Sequence, residues 1–286
     1  MNTISKISKT FKTELINIYP EREIQAFIEI LLEYYVGFSK TDIVLKSENE
    51  LDTSVVSNIK KALARLKNNE PIQYIIGETE FYGINIKVNP SVLIPRPETE
   101  ELVDWIIEKH KKNEQINILD IGTGSGCIPI ALKNNLTKAN VFAIDISENA
   151  LETAKINAEF NKLDISFTNL DILKNESNKD LTQFDVIVSN PPYVRQKEKE
   201  QMQENVLANE PHLALFVENN DALVFYKAII SFAKNHLKKN GSLYFEINEA
   251  YGKELVALFK ENNYTEIELK QDINGRDRMI KGKKQG

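Results

Sequence analysis

The sequence predicts an α/β fold: a helical module followed by a mainly parallel sheet with helices on both faces. Three observations carry this. Residues 1–70 repeat apolar side chains at helical spacing. From Ile116 onward, short β-branched runs alternate with helical patterns, as in a parallel sheet. Two of those runs end in turns that no strand can continue, Gly122-Thr123-Gly124-Ser125-Gly126 and Asn190-Pro191-Pro192-Tyr193. The expected division is 1–70 as a helical domain, 71–95 as a connector with short strands or a hairpin, and 96–286 as the α/β domain.

In the first segment, Ile4, Ile7, Phe11 and Leu15 mark one helix. Ile24, Phe27, Ile28, Leu31, Leu32, Tyr35 and Val36 form the apolar face of a second, opened by Pro20 and closed by Gly37. Val55, Val56, Ile59, Leu63 and Leu66 mark a third, with Asp52 as its cap. Tyr74-Ile75-Ile76-Gly77 and Glu80 to Val88 read as two short strands or a hairpin. Beyond the prolines flanking Arg96, Glu98 opens a helix with Leu102, Val103, Ile106 and Ile107 on one face.

The strand Ile116 to Ile121 runs into the glycine turn, where backbone N–H groups at a helix start stand open to a ligand. Cys127 occupies the place of the third glycine of a dinucleotide fingerprint, and Pro129 fits only the first helical turn. The strand Asn140 to Asp145 ends in a carboxylate 19 positions after Gly126, where nucleotide-binding sheets hold a ribose acceptor. Leu151, Ala154, Ala158 and Phe160 line the next helix, and Ile165 to Leu170 is a third strand. Phe184 to Val188 is a buried strand. The double proline after it forces the backbone out of the sheet at its carboxyl end, where open α/β sheets bind ligands. That turn offers an amide side chain, a carbonyl on a residue with no N–H, and an aromatic ring. Val194 to Phe216 reads as a long polar loop covering a substrate entrance. Ala222 to Leu237 is helical, Ser242 to Ile247 a strand, and Gly252 to Asn262 a helix. Two strands around Ile267 and Met279 follow, joined by Gly275-Arg276-Asp277-Arg278. Lys281 to Gln285 is expected to be a solvated tail.

Composition narrows the classes. The 286 residues are 42% hydrophobic and 27% charged, enough for a real core. A net charge of −6, with 11 Lys/Arg against 12 Asp/Glu over residues 1–90, offers no basic stripe for a nucleic-acid duplex. One cysteine excludes an intrachain disulfide and fits a reducing compartment. Three histidines and one cysteine suggest no metal cluster. Residues 1–6 lack the apolar core of a signal peptide and no run is long enough to span a bilayer, so a cytoplasmic protein without membrane contact is expected.

The glycine turn, Asp145 and Asn190 to Tyr193 together resemble the S-adenosylmethionine-dependent methyltransferases that modify planar amino groups. Pro71 to Gly77, Leu93-Ile94-Pro95-Arg96-Pro97-Glu98-Thr99-Glu100, Glu210-Pro211 and Asp272 to Arg278 narrow the resemblance to the HemK/PrmC family, the release-factor glutamine methyltransferases. It extends from about Pro71 to Met279 and is weakest over the first seventy residues. It implies a seven-stranded Rossmann-like domain behind a small helical domain, and S-adenosylmethionine as cofactor. The implied substrate is the glutamine side-chain amide in the Gly-Gly-Gln motif of class I peptide chain release factors. Asn190 and Pro191 would accept the two amide N–H bonds, Tyr193 would pack on the planar group, Pro192 would bind substrate beside them, and Asn190, Pro191 and Tyr193 would be catalytic. Gly122, Thr123, Gly124, Ser125, Gly126, Asp145 and Asn190 would hold the cofactor, with Asp171 and Ile172 at its adenine; Asp171 as a mere turn residue stays open. Arg96 is either a structural turn residue or a partner for the cofactor's carboxylate. The helical module would help recognise the protein substrate, or simply pack as a lid. A monomer is expected. Two rivals stand against this reading. A DNA or RNA amino-methyltransferase is disfavoured by the acidic balance and the lack of a target-recognition domain. A non-catalytic nucleotide-binding protein would have no use for paired amine acceptors.

Overall fold

The computed structural model describes residues 2–112, 115–174, 182–201, 204–217 and 221–286. It divides into two compact units, Met1–Gly77 with Gln203–Asn209, and Glu78–Met202 with Glu210–Gly286. The hairpin expected in a separate connector thus goes with the larger unit.

The first unit contains the helices Ile4–Leu15, Glu21–Val36, Lys40–Leu45, Thr53–Leu66 and Ile72–Ile76. Their limits follow from local chemistry. Thr3 caps the first, Pro20 precedes the second, and Gly37 ends it in the left-handed region at φ 67°. The short third helix is missed by periodicity; Ser39 and Asp42 form a reciprocal capping box that starts it. Asp52 does stand at the cap position of Thr53–Leu66, but its side chain makes no capping bond. Ile7, Phe11, Ile24, Leu31, Ile59 and Leu66 meet in one buried core. Residues 74–77, read as a strand, are instead the end of a helical turn. Gly77 closes it at φ 81°, and the Arg65 guanidinium donates to the Tyr74 and Ile75 carbonyls at 3.1 Å each. Those bonds satisfy the helix-end acceptors and outweigh the strand preference of two adjacent isoleucines.

In the second unit Glu78–Phe81 and Ile84–Lys87 form an antiparallel hairpin. Its two turn residues, Tyr82 at φ 51° and Gly83 at φ 72°, are both left-handed, the geometry that matches strand twist. Helix Pro97–His110 follows and buries Leu102, Val103, Trp105 and Ile106.

The seven-stranded sheet runs in the spatial order Tyr264–Gln271, Asp277–Lys284, Leu237–Glu246, Phe184–Ser189, Asn117–Ile121, Asn140–Asp145, Ser166–Asn169. The last five are mutually parallel, and Asp277–Lys284 runs antiparallel to both of its neighbours. The chain moves one way from Asn117–Ile121 and then crosses to the other side of it as Phe184–Ser189. Order therefore reverses between those two neighbours, and their carboxyl ends carry the glycine turn and the proline turn. That is the crevice where such sheets bind ligands. Leu119, Ile121, Ile144, Ile187, Ile229 and Phe245 lie in the core beneath it.

Three further expectations need correction. Phe160, placed on the buried face of helix Glu148–Phe160, is 52% exposed, because that helix ends there; the Lys87 ammonium lies over its ring at 4.9 Å. Residues 281–284 are not a solvated tail but the end of strand Asp277–Lys284. Lys281 is 6% exposed, with its ammonium 2.5 Å from Glu268 and 5.9 Å from the centre of the Trp105 ring, so a charged residue occupies an interior strand. Residues 194–216 are not a structureless loop. They hold two short paired strands, a 3-10 turn Gln196–Gln201 and the helices Glu204–Asn209 and His212–Leu215. Residues 202 and 203 of that segment lie outside the described residues.

Candidate active site

The site grows from the two strand ends. Ser189, fully buried, donates its hydroxyl to the Ile121 carbonyl at 2.6 Å and ties them together. On one side, Gly122 and Thr123 donate their N–H groups to the Ile144 carbonyl at 2.9 and 3.1 Å, which bends the turn over the neighbouring strand. Gly122, Gly124 and Gly126 all have positive φ (75°, 54° and 81°). A Cβ on Gly122 or Gly124 would meet nothing within 4 Å, so these two face open space. One on Gly126 would stand 3.0 Å from the Ala154 Cβ. Gly126 is therefore a packing glycine, holding helix Cys127–Asn135 close to helix Glu148–Phe160, and it does not line the cleft.

Gly122, Thr123, Gly124, Ser125, Asp145, Asp171, Ile172, Asn190, Pro191 and Pro192 do share one cleft, together with Arg96 and Thr99. Asp145 accepts from Gly124 N–H and Ser147 N–H at 2.9 Å each, which fixes its carboxylate at the rim of the glycine turn. Burial raises its pKa, and the backbone donors oppose that. Asp171 accepts from Leu173 N–H at 3.0 Å as a turn residue and also borders the cleft, so both of its expected roles have a basis. Arg96 makes a 2.6 Å ion pair with Glu210, which is 4% exposed and also accepts from Ile94 N–H at 3.3 Å. The structural role of Arg96 is thus in place, and it explains why the segment after residue 194 folds back here.

Below the glycine turn is a residue the motif reading passed over. Asp120 is fully buried, and neither of its oxygens makes a hydrogen bond of good geometry; nor do the Thr123 and Ser125 hydroxyls. Burial pushes its pKa up to about 7; the nearby Thr123 hydroxyl offsets part of this and the Asp145 charge adds to it. Unpaired buried oxygens are costly, and a ligand that brings donors would relieve them. A carboxylate two positions before a glycine turn was the available signal. These orphaned acceptors, the open face at Gly122 and Gly124, and the Asp145 carboxylate suit a ligand with an ammonium group and a ribose diol. Cys127 beside them is buried and its thiol pKa is pushed up to about 12, so it packs rather than reacts. Among the described residues no group of three or more His, Cys, Asp or Glu is placed to hold a metal ion.

At the proline turn, the Asn190 Nδ2 donates to the Thr99 hydroxyl at 3.2 Å. Thr99 in turn donates to Glu246 Oε2 at 2.6 Å, and the Tyr193 hydroxyl donates to Glu246 Oε1 at 3.2 Å. Thr99 and Glu246 are 3% and 2% exposed. Burial raises the Glu246 pKa, opposed by the Thr99 bond, the Arg278 charge and the Tyr193 bond, with Glu98 adding to the rise. Arg278 is itself held 3.1 Å from Asp272. Tyr193 packs against the core and does not line the cleft, unlike Asn190, Pro191 and Pro192. Thr99 and Glu246 carry no motif that spacing alone would expose.

The chain matches the family model of the methyltransferase small domain over residues 102–215 and that of the PrmC N-terminal domain over residues 9–77. It is 50% identical over 281 residues to a release factor glutamine methyltransferase of Flavobacterium psychrophilum, covering 96% of this chain and 98% of that one. A protein of the same name from Bacteroides thetaiotaomicron is 41% identical over 277 residues, covering 97% and 99%. Among solved structures, a ribosomal protein L11 methylase from Lactobacillus delbrueckii is similar in fold, with a TM-score of 0.50 and 22% identity over 70% of this chain and 86% of that one. A human methyltransferase 10 domain containing protein gives a TM-score of 0.51 at 18% identity, covering 71% and 90%.

Proposed function

The chain belongs to the release factor glutamine methyltransferases, and from that premise we propose that the Asn190 to Pro192 turn is where a glutamine side-chain amide is held for methylation. The enzyme is S-adenosylmethionine-dependent and methylates a release-factor glutamine. The finer substrate we propose is the amide nitrogen of the Gly-Gly-Gln glutamine in class I factors. The observation that carries this reading is that Asn190, Pro191 and Pro192 line the same cleft as the glycine turn and Asp145.

S-adenosylmethionine supplies an electrophilic methyl group on a sulfonium. Gly122 to Ser125 and Asp120 would hold its methionine end, Asp145 its ribose hydroxyls, and Ile172 with Asp171 its adenine. An amide nitrogen is a poor nucleophile because its lone pair is delocalised. The Asn190 Oδ1 and the Pro191 carbonyl each accept one N–H of the target. They would orient the nitrogen toward the methyl group that the cofactor would supply and would stabilise positive charge developing on that nitrogen. S-adenosylhomocysteine would be the spent form of the cofactor, and the extra proton on the methylated amide nitrogen would leave after transfer. Gly126 sets the shape of the turn, and Tyr193 braces the proline turn through Glu246 rather than stacking on substrate.

We further propose residues 1–70 as the release-factor recognition domain, 71–95 as a connector whose hairpin belongs to the larger unit, and 96–286 as the catalytic domain, in a monomeric cytoplasmic enzyme with no nucleic-acid partner. No described helix is long and apolar enough to cross a membrane. The decisive experiment is incubation of a class I release factor with enzyme and methyl-labelled cofactor, followed by peptide mass spectrometry. One methyl on the Gly-Gly-Gln glutamine is expected; labelling only of another residue, or of added RNA or DNA, overturns the reading.

A further inference from the structure

We propose that Glu246 is a positioning residue that sets which way round the Asn190 side-chain amide faces, acting through the Thr99 hydroxyl. The inference rests on the reading of Asn190 as the acceptor of the target amide. Its basis is the direction of three hydrogen bonds. The Thr99 hydroxyl donates to Oε2 at 2.6 Å, and the carboxylate takes that bond as acceptor. The hydroxyl has one proton and spends it there. Toward Asn190 it can then only accept, and only Nδ2 can give, at 3.2 Å. The amide oxygen is thereby left for the cleft. Rotated the other way, Asn190 would leave Thr99 facing an oxygen with no proton between them and would present N–H groups to the N–H groups of the substrate.

The carboxylate is well fixed for this task. Its other oxygen is taken by Tyr193, which leaves the next position of the same turn. The strand that carries it is clamped from both sides, by Ser189 opposite Phe245 and by Met279 opposite Glu246 itself. The charged groups acting on it are Arg278 and Glu98, with Asp272 behind Arg278, and the Tyr193, Tyr226 and Cys127 side chains also feel its charge. A buried carboxylate with so few donors is an expensive choice for packing alone. Its use as a one-way acceptor gives it a role that a neutral isostere lacks. Glutamine at this position has an N–H that can donate to Thr99, freeing the hydroxyl proton to point at Asn190 and reverse it.

The test is a double-mutant cycle read by single-turnover methylation of a release factor, with cofactor affinity and melting temperature measured alongside. Glu246→Gln should slow turnover roughly tenfold to a hundredfold with little change in cofactor affinity. In an Asn190→Asp background the same substitution should cost less than about threefold, because aspartate presents an oxygen whichever way it turns. Equal costs in the two backgrounds, or no cost in the first, overturn the proposal. Thr99 gives an independent measure. Thr99→Ser should stay within about threefold of wild type and Thr99→Val should match Glu246→Gln; serine and valine behaving alike overturns the proposal even if the aspartate background is inactive. Failure of the underlying reading looks different: there Asn190→Ala itself would methylate at the wild-type rate.

Discussion

Arg96 and Glu210 stand 114 residues apart in the chain and meet at 2.6 Å, one partly exposed and the other almost wholly buried. The asymmetry makes their substitutions unequal. Arg96→Met strands a carboxylate in the interior and should cost about 3 kcal/mol, whereas Glu210→Gln leaves an arginine that water reaches and should cost about 1 kcal/mol. Urea denaturation of both variants checks this. Equal losses would mean that the pair is not held together by the burial of Glu210.

Asn190→Ala should lower single-turnover methylation by roughly 10²–10³, with a smaller loss in cofactor affinity, since it removes a partner that matters most as charge develops. Asn190→Asp keeps an acceptor of the same shape and should retain more activity than alanine. Rapid-quench kinetics with the whole release factor measures both. An alanine variant as fast as wild type would make the proline turn purely structural.

Asp145→Ala should weaken cofactor binding by about 1–3 kcal/mol, because ribose hydroxyls lose a charged acceptor and the Gly124 N–H loses its partner. Titration calorimetry with S-adenosylhomocysteine gives the answer directly, and an unchanged affinity would remove Asp145 from the site.

The two kinds of glycine in the turn should separate cleanly. Gly126→Ala pushes a methyl against Ala154 at 3.0 Å in a left-handed backbone, so it should cost about 2 kcal/mol of stability. Gly124→Ala meets no neighbour and should lose only the backbone strain, while its methyl projects where the cofactor would approach. Melting temperature falling most for Gly126→Ala and cofactor affinity falling most for Gly124→Ala is the expected pattern.

Asp120 predicts a pH signature. Its folded pKa, about 7, lies above its unfolded value, so between about pH 4 and 7 the folded state binds the extra proton. The stability this group contributes is therefore present at low pH and lost as pH rises to 7. Asp120→Asn removes the dependence. The ligand-free variant should be more stable than wild type at pH 8 by about 1–3 kcal/mol, with the gain shrinking toward pH 4, and should bind cofactor less tightly. Denaturation curves at several pH values, showing a gain that is flat or grows on acidification, would contradict this.

Much of the site was legible because its chemistry is local. A glycine run after a strand, a carboxylate at the next strand end and a double proline each constrain the backbone within a few residues. What was not legible depends on partners far away in sequence. Nothing near Thr99 announces Glu246, 147 positions later, and nothing near Glu210 announces Ile94. Tyr74 to Gly77 was misread because a helical turn of five residues is too short to show a period, and its stop signal at Gly77 also suits a hairpin. Lys281 to Lys284 was misread because composition says solvent, whereas the Lys281 ammonium faces both the Trp105 ring and the Glu268 carboxylate.

The position of Asp277–Lys284 in the sheet also constrains how the enzyme can be made. This strand lies between Leu237–Glu246 and Tyr264–Gln271, and among the described residues Tyr264–Gln271 has no other neighbour in the sheet. A ribosome delivers Tyr264–Gln271 first, yet it has nothing to pair with until the following strand arrives and is itself accepted by Leu237–Glu246. Order of synthesis and order of assembly are inverted at this edge. Met279 of that late strand stands opposite Glu246, so the strand that carries this carboxylate lacks one of its two neighbours until the last strand is in place.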